Sequence, residues 1–141
     1  FSKGLGAVHA LSHPISAHFG THHGRTNAVL LPYVVELNLS ATRDKLRRLA
    51  RYLALNDRSA AGLVRWLVDL REELGIAHTL AEIGVEPDDE LVDRLAKSAL
   101  EDVNAASNPV KLTREKSASV YRRAMDGDFE SFRIETRAAD G

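Results

Sequence analysis

The chain has 141 residues, with 19 Lys plus Arg against 20 Asp plus Glu, a formal charge of −1 and no cysteine. That length suits one domain with a real core, and the near-neutral balance argues against nucleic acid or an anionic membrane as partner. Without thiols there are no disulfides, thiolate nucleophiles or cysteine zinc sites, so His, Asp and Glu are the strong metal ligands to look for.

No run approaches the roughly 20 apolar residues of a membrane span, and no charged start leads into an apolar cleavable stretch. A soluble domain is therefore expected, and the lack of cysteine fits a cytoplasmic home. The chain opens on Phe1 with an apolar pattern (Phe1, Leu5, Val8) already running, so a longer parent protein is expected as well.

Leu5, Val8, Leu11 and Ile15 recur at helical spacing, and Gly4 and Gly6 loosen the start. Pro14 predicts a kink or a break in the last turn, before a loop at 20–24. From Arg25 onward, Ala28, Val29, Leu30, Leu31, Val34, Val35 and Leu37 are apolar almost all round, which predicts a buried helix kinked at Pro32. Ser40 or Thr42 is expected to cap a third helix with Leu46, Leu49, Ala50 and Leu53 inward. Its other face, Arg43, Lys45, Arg47, Arg48 and Arg51, reads as solvated, since Asp44 interrupts it and no aromatics interleave.

Asp57 or Ser59 should cap a fourth helix, whose stripe of Leu63, Trp66, Leu67, Leu70 and Leu74 ends at Gly75, with Trp66 in the core. A short segment at 79–84 and Pro87 lead to a helix built on Leu91, Leu95, Ala99 and Leu100. "NAASNPVKLT" has loop composition, and Thr113 opens a last helix with Val120 and Tyr121 inward. No sustained alternation occurs, so an all-α, multi-helix domain over 1–125 is expected. An irregular tail follows at 126–141, with at most a short strand near 129–136.

Five of the six histidines, His9, His13, His18, His22 and His23, fall in "VHALSHPISAHFGTHHGRTNAVLLPY". His9 and His13 are i and i+4, on one helix face a turn apart, able to present two nitrogens to one ion or one active site. His23 returns across the loop. Spacing alone leaves open whether these histidines bind metal or are partly buried and satisfied by hydrogen bonds, because the zinc-protease glutamate is absent.

The segment "GLGAVHALSHPISAHFGTHHGRTNAVLLPYVVELN" resembles the signature of the iron-containing (group III) alcohol dehydrogenase family. There a Gly-rich lead-in, a His-x-x-x-His pair, a spacer and a His-Gly step precede an Asn-Ala-hydrophobic-Leu-Pro helix ending in Asn. Asp102 followed by "NAASNPVKLTRE" is similar to that family's late loop. The resemblance implies the C-terminal helical domain of a metal-dependent alcohol dehydrogenase, its N-terminal nucleotide-binding domain absent from this chain. It implies His9 and His23 as ligands of Fe2+ or Zn2+, and His13 beside the metal in proton transfer.

Pro14 and Gly24 match the family's backbone pattern, whereas His18 and His22 are not promoted. Asn104 stands where several relatives place a cysteine or another residue facing the substrate, a departure from the family pattern at a position that bears on substrate preference. The implied activity interconverts a small alcohol with an aldehyde or ketone, the metal acting as Lewis acid while hydride passes to or from NAD(P).

The resemblance also implies an Asp and a His ligand from a preceding helix that has no counterpart here, and NAD(P) bound mainly by the missing N-terminal domain. "GLGAVH" lacks the third glycine and the preceding strand of a dinucleotide fingerprint. The chain alone is expected to be inactive. Its expected partner is the missing half or another copy of the chain, and a homo-oligomer is expected. Two other readings stay open: a stand-alone metal-binding domain using His9, His13, His22 and His23, and an interaction module docking through Phe1, Leu5 and Val8.

Overall fold

The computed structural model describes residues 4–130, which form six α-helices and two short 3-10 turns, with no strand among them. The helices are α1 (Ala7–Phe19), α2 (His23–Leu37), α3 (Leu39–Tyr52), α4 (Ala60–Glu73), α5 (Asp89–Glu101) and α6 (Arg114–Asp126). α1 packs on α2 and α5, α6 closes against α5 and α2, and α3 and α4 form a hairpin beside α2. The all-α expectation holds. Phe129 and Glu130 are not in a strand, and the rest of the strand expected near 129–136 lies outside the described residues.

Three helix starts follow from local chemistry. Ser59 Oγ accepts from Gly62 N, Asp88 Oδ1 from Leu91 N, and Thr113 Oγ1 from Lys116 N. Each satisfies one of the orphan N–H groups of a first turn. The third helix departs from expectation. It is entered from Asn38, which also ends α2, and the Thr42 hydroxyl donates to the Asn38 carbonyl instead of capping.

Neither internal proline breaks its helix. Pro14 and Pro32 lack the N–H that would serve the carbonyls of Ala10 and Ala28. In each case the next carbonyl along receives a donor from another helix. Tyr121 Oη donates to Leu11 O at 2.8 Å, and an Arg71 Nη donates to Val29 O at 2.8 Å. Both donor residues are buried, so neighbouring helices supply polar partners beside each proline.

The core contains Leu11, Ile15, Val29, Leu30, Tyr33, Val64, Val120 and Tyr121, with Tyr33 stacked on Phe129 at 4.3 Å. Several expected inward residues face out. Leu5 is 57% exposed and Leu74 64%; Leu49, Leu53 and Leu100 are also exposed, and Trp66 is half-buried. The reason is geometric for α3 and α4: each packs on its hairpin partner and on α2, so an apolar stripe can be only partly covered. Of the α3 stripe only Ala50 is buried.

Between α4 and α5, the Glu82 carboxylate accepts from His78 N, Thr79 N and Thr79 Oγ1. The hydrogen bonds from Thr79, then that from His78, hold its carboxyl below the ordinary carboxylate value. A depressed folded-state value means the unfolded chain takes up the proton first. The stabilisation is therefore complete above the ordinary 4.5 and is lost as pH falls through the folded value. Glu82→Gln is expected to lower stability at neutral pH and flatten this acid limb, read by urea midpoints at pH 7 and below 4.5. An unchanged acid limb would show that the loop is held by other groups.

Candidate metal and proton-transfer site

The lead-in to α1 is tied to a loop about a hundred positions away. Leu5 N donates to Asn104 Oδ1, Gly6 N to Ser107 Oγ and Ala7 N to Asn108 Oδ1. Side chains of one loop thus satisfy three successive N–H groups at the start of the helix that carries His9 and His13. Gly4 makes the approach possible: at φ 66° it lies so close to Ser107 that a Cβ would stand 2.3 Å from Oγ. Asn108 in turn pairs amide to amide with Asn38 at 2.8 and 2.9 Å, joining the loop to the α2–α3 junction.

On this frame His9, His13 and His23 come together. Ring centroids are 5.9 Å apart for His9–His13, 5.2 Å for His9–His23 and 5.1 Å for His13–His23, the last pair stacked. α1 supplies the first two a turn apart. α2 begins at His23, two residues before the expected start, which puts that ring on its first turn.

The Nε2 atoms of His9 and His23 both lie against the side-chain nitrogen of Asn27, at 3.4 and 3.0 Å. Asn27 is one turn beyond His23 on α2, and its NH2 group donates toward two ring lone pairs. Both lone pairs therefore face one locus. His9 Nδ1 and Asn27 Oδ1 are buried without a hydrogen-bond partner, a costly condition for polar atoms. Burial, and then the neighbouring His23 and His13, push the His9 imidazole below its ordinary value of 6.5, against an opposing pull from Asp102. A neutral ring keeps the lone pair that a metal ion requires.

His13 makes a different contact. Its Nδ1 is 2.6 Å from Asp102 Oδ2, at the C-terminal end of α5. A cleft of about 300 Å³ borders the pair, lined also by Pro14, Ala17, Ser98 and Glu101. A larger hollow of about 700 Å³, lined among others by Arg43, Arg47 and Arg58, shares no residue with the histidine cluster. Chemistry, not hollow size, marks the site.

His18 and His22 are exposed. Among the described residues no group of three or more His, Asp or Glu is arranged to hold one metal ion, which removes the geometric basis for a self-contained four-histidine site. Two imidazole nitrogens at one locus do suit iron or zinc, as two donors of a larger set. The sequence reading missed Asn27, although its position four residues after His23 is a helical-face signal. It also missed the side-chain work of Asn104, which holds Leu5 N and the Asp102 carboxylate.

Residues 1–125 match the family profile described as "Fe-containing alcohol dehydrogenase family, C-terminal". The chain is 34% identical over 127 residues to the lactaldehyde reductase of Escherichia coli K12, covering 86% of this chain and 33% of that one. To the 4-hydroxybutyrate dehydrogenase of Cupriavidus necator it is 36% identical over 135 residues, covering 89% and 33%. Among solved structures, a 1,3-propanediol oxidoreductase superposes with a TM-score of 0.80 at 32% identity, covering 86% of this chain and 33% of that one. An alcohol dehydrogenase from Oenococcus oeni superposes at 0.77 and 37% identity, covering 85% and 32%. The chain spans about a third of the length of the curated relatives it matches.

Proposed function

The chain belongs to the Fe-containing alcohol dehydrogenase family, and we propose that it is the metal-binding helical part of an NAD(P)-dependent enzyme interconverting small alcohols with aldehydes or ketones. The observation that carries this reading is the convergence of His9 Nε2 and His23 Nε2 on the one nitrogen of Asn27. In this reading both imidazoles hold a divalent ion, iron or zinc. When bound, the ion supplies Lewis acidity at the substrate oxygen, and the nicotinamide takes or gives hydride.

His13 accepts the proton released by the alcohol as hydride leaves its carbon, and returns it in the reverse direction. Catalytic metal sites use three protein ligands and an open position, so further donors come from the remaining two-thirds of the enzyme. Exposed Leu5, Leu100 and Val103, close in sequence to the clamped loop and the lead-in, support this face as the docking surface for that part. The same part binds most of the nucleotide. A homo-oligomer in the cytoplasm completes the reading; no helix of the described residues is long and apolar enough to cross a membrane.

The test uses the complete enzyme, stripped with a chelator and refilled. Alcohol oxidation followed by nicotinamide absorbance is expected to vanish on stripping and return with Fe2+ or Zn2+. The chain of 141 residues by itself is expected to show no turnover. Undiminished activity in the stripped enzyme, or turnover by the chain alone, would overturn the reading.

A further inference from the structure

Resting on the reading of His13 as the proton-transfer residue, we propose that Asp102 is its positioning residue, holding the imidazole as the tautomer with hydrogen on Nδ1 and a free lone pair on Nε2. Asp102 Oδ2 lies 2.6 Å from Nδ1, and its other oxygen, Oδ1, is held at 2.8 Å by both the backbone N–H and the side-chain NH2 of Asn104. Asn104 is fixed in turn, because its Oδ1 accepts from Leu5 N. The carboxylate therefore cannot rotate without giving up its bonds to Asn104 and His13.

An ionised carboxylate only accepts, so the atom facing it must donate. Burial pushes the Asp102 carboxyl up, but the hydrogen bonds from His13 and from the backbone and side chain of Asn104 outweigh it and keep the group below the ordinary carboxylate value. Nδ1 thus carries the hydrogen. The face of the ring is set independently by stacking on His23, 23° from parallel. Edge and face together fix where Nε2 points, and a carboxylate behind a histidine is a recurrent way to set tautomer and orientation. The side chain of His13 is 43% exposed and that of Asp102 15%, so the imidazole is open while its support is shielded.

The two donors from Asn104 make Asp102→Asn diagnostic. They require an oxygen at the Oδ1 position, so the asparagine amide must turn its NH2 toward His13. A donor then faces Nδ1, and the ring has to move its hydrogen to Nε2, losing the lone pair there. Asp102→Ala imposes no tautomer. A merely structural role for Asp102 ranks the near-isosteric asparagine as the milder change; tautomer control ranks it as the more damaging.

The experiment has two readouts on the complete protein. In the metal-free form, long-range 1H–15N correlation of the histidine rings is expected to show His13 protonated on Nδ1 in the wild type and on Nε2 in Asp102→Asn. With metal restored, kcat is expected to fall roughly 10- to 100-fold in Asp102→Asn, less in Asp102→Ala, with KM little changed in both. A wild-type ring carrying its hydrogen on Nε2 overturns the proposal even if neither variant folds. So does an asparagine variant that retains more kcat than the alanine variant. His13→Ala with undiminished kcat would instead defeat the proton-transfer reading, and the ring spectrum would still decide whether Asp102 sets the tautomer.

Discussion

Replacing His9 or His23 with alanine is expected to abolish turnover of the complete enzyme and to weaken metal binding by more than the roughly 10- to 100-fold typical of a residue one step removed from an ion. The two rings reach the site from different helices, yet both Nε2 atoms face Asn27. Removing either leaves one imidazole from this chain, too few to anchor an ion that the other part of the enzyme also has to hold. Loss of a ligand should therefore appear first in metal content and only through it in kcat. His22→Ala supplies the control: His22, next to His23 in sequence, is exposed and plays no part in the convergence, so metal content should not change. Plasma emission analysis of the purified variants, followed by titration with Zn2+, checks both statements. A His9→Ala enzyme with a full complement of tightly held metal would contradict the site.

Leu11→Ala carries the second large effect, on stability. Leu11 is 0% exposed, on the helix that bears His9 and His13 and that packs on α2 and α5. Truncating a fully buried leucine removes its transfer free energy and leaves a cavity that its neighbours only partly fill, at a cost of about 2–5 kcal/mol. Leu74→Ala, equally part of a predicted apolar stripe but 64% exposed, should stay within about 0.5 kcal/mol of wild type. Urea midpoints measured without metal, at unchanged m-value, separate the two. The contrast matters for function, because a cavity beneath α1 loosens the support of two of the three clustered rings. Equal effects at the two positions would contradict the burial of Leu11 within the bundle.

That contrast also shows where periodicity stops being informative. Leu11 and Leu74 obey the same spacing rule, and although Leu74 sits at the helix end beside Gly75, the spacing itself does not say which of the two is covered. Helix existence was legible throughout, since amphipathic spacing is local; the cap at Thr113 was legible, and that of α4 was narrowed to Asp57 or Ser59, because a capping side chain reaches only three residues ahead. The start of α3 was not. Asn38 lies against Asn108, and that pairing, seventy positions apart, rather than the hydroxyls of Ser40 or Thr42, anchors the junction. At the prolines no helix break occurs, and the donors that Tyr121 and Arg71 supply beside them come from distant helices.

For the site, the residue types and the i, i+4 spacing of His9 and His13 were visible in the chain, as was the family resemblance that joined His23 to them. What the amino-acid order determined is thus whatever depends on neighbours within a turn or two: six helices, some of their ends, and two imidazoles on one face. Tertiary structure alone decided that two Nε2 atoms face one amide, that an aspartate 89 positions away supports His13, and which apolar stripes are covered. The reason is that hydrogen-bond direction and burial belong to pairs of elements, and such pairs come together only when the whole bundle packs.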